Sequence, residues 1–276
     1  MRYLYLFLLL GFGLIVTTSA LGQSPASPLP TGARYVAMGS SFAAGPGIPD
    51  QLESCGRSSN NYPHLVAVAL GLALVDVSCS GATTDHILLT PQGNAPLQIA
   101  AVTPDTALVT ITIGGNDIEY TRSTFACAGA AAEDACAANL DQANISTLVS
   151  QLPDKLGATV DAIRAIAPQA KVVFVTYPRV FPEDYAACAD VAMSNADAAF
   201  MSRLGQQLED TFVRVAAAKQ TLIADAYVLG EGHGPCAVPS ERWINANTVA
   251  LDGARYHPTA AGHRVMARLV FAAVSQ

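Results

Sequence analysis

Charge is scarce in this chain. Asp, Glu, Lys and Arg make up 13% of its 276 residues, and no run of Lys or Arg forms a basic stripe. A formal net charge of −7 and a sequence pI near 5.1 argue against nucleic acid and anionic membranes as main partners. No C-x-x-C pair occurs, and no cysteine stands at metal-finger spacing from a histidine. No metal site is therefore expected. No apolar run reaches the ~20 residues a membrane-spanning helix needs. Gly45-Pro46-Gly47 completes no dinucleotide fingerprint and reads as a turn.

What the chain does hold is apolar. Hydrophobic residues reach 51%, ample for one large core and far from a disordered composition. Arg2 precedes the apolar run Tyr3 to Val16, and Thr17-Thr18-Ser19-Ala20 supplies small residues. This reads as a signal peptide over residues 1–20, with cleavage after Ala20 or Gly22; a membrane anchor is the rival reading. A secreted protein, extracellular or periplasmic, is expected. Residues 21–33 are rich in Pro, Ser and Gly and look like a flexible leader, leaving 34–276 as a single domain.

Six cysteines (Cys55, Cys79, Cys127, Cys136, Cys188 and Cys236) fit an oxidising compartment as three disulfides. Consecutive pairing is expected because each neighbouring pair brackets one connecting region. Buried free thiols are the alternative.

Short β-branched apolar runs alternate with longer helical stretches. Strands are expected at Arg34–Met38, Ala73–Ser78, Ala107–Ile113, Lys171–Tyr177 and Thr221–Ala226. Their near-continuous apolar character suits strands buried on both faces of a parallel sheet. Helices are expected at Tyr62–Leu70, Ile145–Ala167 and Asn195–Lys219, with a last one starting at Pro258. The alternation predicts a doubly wound α/β sandwich. Glu119–Leu140 and Tyr227–Tyr256 look like insertions or long loops.

In an open parallel sheet, ligands bind outside the carboxyl ends of the strands. Gly39-Ser40-Ser41-Phe42 follows the first strand, Ser80-Gly81-Ala82-Thr83 the second, and Gly114-Gly115-Asn116-Asp117 the third; His257-Pro258 precedes the last helix. These residue types suit acyl transfer. A serine hydroxyl needs a base to take its proton, and imidazole has the right pKa. The oxyanion then needs pre-aimed donors, which a glycine N–H, an asparagine amide and the serine's own N–H supply.

With Val36–Ile48 (VAMGSSFAAGPGI), Ser78–Asp85 (SCSGATTD) and Thr112–Asp117 (TIGGND), the sequence resembles the SGNH, or GDSL-like, hydrolases, most closely an actinobacterial-type secreted branch. The resemblance spans nearly the whole chain after the leader. It implies a three-layer α/β/α sandwich around a five-stranded parallel sheet of flavodoxin-like type. It also implies Ser41 as nucleophile, His257 as base, and Ser41, Gly81 and Asn116 as the oxyanion hole. Three disulfides are typical of that branch, and activities in the family run from esterases to lipases and phospholipases.

Two departures stand out. Ser40 replaces the Asp common in the first block, and Ala254 stands where the usual triad Asp lies, three residues before the His. A neutral imidazole needs an acceptor at one nitrogen to hold its tautomer. The backbone carbonyl of Ala254 is expected to supply it, giving a Ser–His dyad, with Asp252 as the rival orienter. A place at the positive end of the last helix is expected to lower the pKa of His257. Other candidates have blander readings: a surface or core-edge role for His263, local bonds for His64 and His86, a loop place for His233, packing for Trp243. Asp117 orients the Asn116 amide or caps the following turn.

The expected function is a secreted serine hydrolase that cleaves carboxylic esters through an acyl-serine intermediate, with no cofactor. The partner is a small-molecule or lipid ester; no nucleic acid and no stable membrane anchor are expected, and a monomer is the default. A carbohydrate acetyl esterase and a catalytically silent binding module on the same fold stay open.

Overall fold

The computed structural model describes residues 29–52, 54–128, 136–181, 188–247 and 252–276. The signal peptide expected over 1–20 and the leader up to residue 28 lie outside the described residues. Residues 29–33 were expected to be mobile, yet they are tied down: Leu29 packs on the core and the Gly32 N–H donates to the Gly71 carbonyl at 2.7 Å.

Five strands form one parallel sheet: β1 (Arg34–Gly39), β2 (Ala73–Asp76), β3 (Thr106–Thr112), β4 (Lys171–Val175) and β5 (Leu222–Ala224). Their order is β2-β1-β3-β4-β5, the flavodoxin-like doubly wound arrangement with its switch point between β1 and β3. Helices between them are α1 (Ser41–Ala44), α2 (Tyr62–Leu70), α3 (Thr84–Leu88), α4 (Tyr120–Cys127), α5 (Cys136–Asn139), α6 (Gln142–Ile166), α7 (Asn195–Lys219), α8 (Ala226–Leu229) and α9 (Ala260–Val274).

Strand alternation divides the core. Val36, Met38, Val109, Ile111 and Phe174 face Leu152, Leu156, Leu208 and Phe212 of α6 and α7. Their neighbours Tyr35, Ala37, Leu108, Val173 and Val175 face Tyr62, Val66, Met266 and Val270 of α2 and α9. Because successive strand residues point to opposite faces, a continuous apolar run is what a sheet covered on both sides requires.

Three expectations change. The last helix starts at Ala260, capped by the Thr259 hydroxyl accepting from the Gly262 N–H, and not at Pro258, which bridges Ile244 instead. The stretch expected as a loop around 119–140 carries α4 and α5, joined by Cys127–Cys136. His263 is fully buried where α9 meets α2, its Nδ1 accepting from the Tyr62 N–H at 3.1 Å. Burial drives its pKa down to about 3, so it is a neutral core residue. Disulfides join Cys55–Cys79, Cys127–Cys136 and Cys188–Cys236, consecutive in the chain. Among the described residues no helix is long and apolar enough to cross a membrane.

Candidate active site

The site forms at the carboxyl ends of β1, β2 and β3. Gly39 ends β1 at φ 148°, and a Cβ there would stand 2.4 Å from the Thr112 carbonyl oxygen. Only glycine lets β1 close on β3 this tightly. The Gln98 amide grips both sides of Gly39, accepting from its N–H at 2.8 Å and donating to its carbonyl at 3.0 Å. The chain then turns so that Ser41 opens α1, with its hydroxyl nearly buried.

His257 reaches Ser41 from the far end of the sequence. Its Nε2 lies 2.7 Å from Ser41 Oγ and its Nδ1 lies 2.7 Å from the Arg255 carbonyl oxygen. A carbonyl can only accept, so Nδ1 carries the proton and Nε2 offers its lone pair to the serine hydroxyl. Burial holds the His257 pKa below the ordinary histidine value. Desolvation is the cause, in place of the helix end that the sequence suggested.

The expected orienters are placed elsewhere. The Ala254 carbonyl accepts from the His257 N–H and from Asn245 Nδ2, both at 3.2 Å. The Asp252 carboxylate accepts from the Ala260 N–H at 2.8 Å and so caps α9. The reason is local: Tyr256 adopts φ 54°, a left-handed turn that swings the Arg255 carbonyl back toward the ring.

The other two strand-end loops are stitched to the first. Asn116 Nδ2 donates to the Ala82 carbonyl at 2.8 Å, which leaves its second amide proton available. Asp117 accepts from the Thr84 N–H at 3.1 Å and from its hydroxyl, with Lys155 Nζ 3.8 Å away. Thus Asp117 caps α3, not the turn after itself. The N–H groups of Ser41 and Gly81 donate no hydrogen bond among the described residues. Gly81, at φ 82°, keeps its amide open to approach.

Several contributors were missed in the sequence. The Tyr177 hydroxyl accepts from the Gly115 N–H at 3.2 Å and lies 3.1 Å from Ser40 Oγ, so Ser40 supports the loop where an Asp is common. Phe42 lies 5.0 Å and Phe125 6.2 Å from the His257 ring, centroid to centroid. A tight hollow of about 10 Å³ is walled by Phe42 and Tyr256, the chain neighbours of Ser41 and His257, with Tyr120, Thr121, Thr124 and Val180. None of these carries a motif, because each is only an apolar residue until the fold aims it. His64, His86, His233 and Trp243 stay outside: His86 bonds Thr83, and His233 stacks on Trp243 at 4.1 Å. A groove of about 490 Å³ between α6 and α7 reaches Lys219, at the opposite edge of the sheet, and carries none of this chemistry.

A doubly wound sheet with a serine on its first strand end, engaged by an imidazole, is the frame of a hydrolase. The chain belongs to the GDSL-like Lipase/Acylhydrolase family, whose profile matches residues 37–265. It is 31% identical to Lipase 2 of Streptomyces coelicolor, over 91% of this chain and 89% of that one. The structure of an extracellular lipase from Streptomyces rimosus superposes with TM-score 0.74 at 30% identity, covering 87% of this chain and 99% of the other. A phospholipase A1 from Streptomyces albidoflavus gives TM-score 0.70 at 26% identity, covering 88% and 100%. The protein is a carboxylic ester hydrolase.

Proposed function

We propose that this enzyme cleaves esters through an acyl-serine intermediate, with Ser41 as nucleophile and His257 as general base. The observation that carries the reading is the pair of 2.7 Å contacts at the imidazole, one to the hydroxyl and one to a backbone carbonyl. Ser41 Oγ attacks the ester carbonyl carbon while its proton passes to Nε2. The oxyanion takes hydrogen bonds from the Ser41 and Gly81 N–H groups and the free proton of Asn116 Nδ2. Collapse breaks the bond to the alcohol, which leaves with the proton from Nε2. Water, activated by the same nitrogen, then attacks the acyl-serine and releases the acid. The imidazolium is stabilised by a carbonyl dipole in place of a carboxylate, so this is a dyad.

The reading calls on no metal and no organic cofactor. The substrate is a small-molecule or lipid ester, and the enzyme works as a monomer without nucleic acid or a stable membrane anchor. Export after removal of the first 20 or so residues is supported by their apolar run and by the disulfides. A fluorophosphonate probe should label the protein at Ser41 and fail on Ser41→Ala, which should also lose at least ~10⁴-fold in kcat on p-nitrophenyl esters. An unlabelled wild type would point to a silent binding module.

A further inference from the structure

A third cavity, of about 450 Å³, opens at the carboxyl end of β2. Arg57, Asp76, Gln92 and Asn94 line it, with Val77 and Pro96. It adjoins the site described above. Asp76 pairs in register with Ala37 of β1, four residues before Ser41, and neighbouring strands run only about 4.8 Å apart. Gln92 belongs to both places. Its Nε2 donates to the Ser80 carbonyl at 2.8 Å and stands 3.5 Å from where a Gly81 Cβ would be.

The lining is chemically mixed and unfinished. Gln92 Oε1 is buried with no hydrogen-bond partner among the described residues. Arg57 uses Nη1 on the Ser78 carbonyl and Nη2 on Ser54 Oγ, and it joins no carboxylate among the described residues. A guanidinium holds five N–H donors, so more remain. Across from it, the Asp76 carboxylate accepts from Ser78 and Asn61. Among the described residues that line it, Arg57 is the one cation and Asp76 the one anion.

We propose that this cavity is the subsite for a polyhydroxylated leaving alcohol, a glycerol or sugar unit, held while Ser41 attacks its ester. The inference rests on the acyl-serine reading. Hydroxyl groups both give and take hydrogen bonds, which suits the remaining Arg57 donors and the Asn94 amide, each able to meet a ligand in this cavity. A phosphate gives none, and it would face the Asp76 carboxylate.

Acetate esters isolate this site, because every one forms the same acetyl-serine and differs only in the alcohol that leaves. Glyceryl monoacetate, a methyl glucoside monoacetate, propyl acetate and acetyl glycerophosphate are compared by kcat/KM, each divided by its hydroxide-catalysed rate. For wild type the neutral polyol esters should exceed propyl acetate on the order of tenfold, the yield of one or two hydrogen bonds made at the site. In Arg57→Ala and in Asn94→Ala that ratio should fall toward one. A wild-type ratio near one, a ratio kept in both variants, or a preference for the phosphorylated ester overturns the proposal. Fluorophosphonate labelling of Ser41 in the same wild-type preparation reads the underlying mechanism separately. A labelled enzyme with a ratio near one loses the subsite and keeps the mechanism.

Discussion

At Tyr256, a side chain with a Cβ occupies backbone space that favours glycine, at φ 54°. Such a conformation costs on the order of 1–2 kcal/mol and persists only where the surroundings over-determine it. Here the Tyr256 hydroxyl donates to the Val191 carbonyl and the ring is buried. The return is the orientation of His257 by a carbonyl that no mutation can delete. Asp252→Asn should therefore leave kcat within about threefold of wild type, since an amide oxygen still caps α9; a triad acid would lose about 10⁴-fold. Steady-state kinetics decide between them. Because His257 acts as a free base and burial lowers its pKa, kcat/KM should rise with pH through a value below 6.5 and then plateau.

Glu209 behaves differently, although it too is buried. Burial, with Asp225 nearby, raises its pKa to about 8, against a smaller opposing pull from the Thr176 hydroxyl. The unfolded side chain ionises near 4.5. Between those values the folded protein binds a proton that the unfolded chain has lost, so stability should fall as pH rises from 4.5 to about 8 and level off above. Glu209→Gln should remove that slope. Melting scans at pH 4 and pH 9 should show the variant gaining on wild type by a few kcal/mol at the higher pH, roughly.

Among the elements, α4 matters most for what the enzyme accepts. It supplies Tyr120, Thr121 and Thr124 to the hollow walled by Phe42 and Tyr256, and it stacks Phe125 against His257. With about 10 Å³ of room, the hollow has space for roughly one water. Val180, almost fully buried, forms part of its wall. Val180→Ala should widen the hollow and move the acyl-length optimum upward. The ratio of kcat/KM for p-nitrophenyl hexanoate over acetate should rise about tenfold, the usual scale for fitting one or two methylenes. The stretch 119–140 reads in the sequence as a long loop of the kind that carries function, but its spacing does not tell which side chains wall the hollow.

For the whole molecule, the disulfides hold the loops that the sheet does not. Cys55–Cys79 spans 24 residues beside the Gly81 loop, and Cys188–Cys236 spans 48. By chain entropy these are worth about 3 and 4 kcal/mol respectively. Replacing both Cys188 and Cys236 by Ala should lower the melting temperature by roughly 8–16 °C. The loss should exceed that of the Cys127/Cys136 pair, whose loop spans 9.

The layers, the strand order of appearance and the four chemical segments were legible in the sequence, because parallel strands buried on two faces leave apolar runs. Glycine, serine, asparagine and histidine also keep their chemistry wherever the chain takes them. The starts of α2 and α7 were legible too, but those of α6 and α9 and the imidazole's partner were not. Whether Asp252, Ala254 or Arg255 meets Nδ1 depends on one backbone angle at Tyr256, and that angle is set by packing against residues far along the chain. The same holds for Gln98, Tyr177 and Gln92, polar or aromatic side chains without a motif. Local sequence determines which groups exist and which elements carry them; only tertiary contact decides which group faces which, because a hydrogen bond depends on ångströms and angles that no linear spacing encodes.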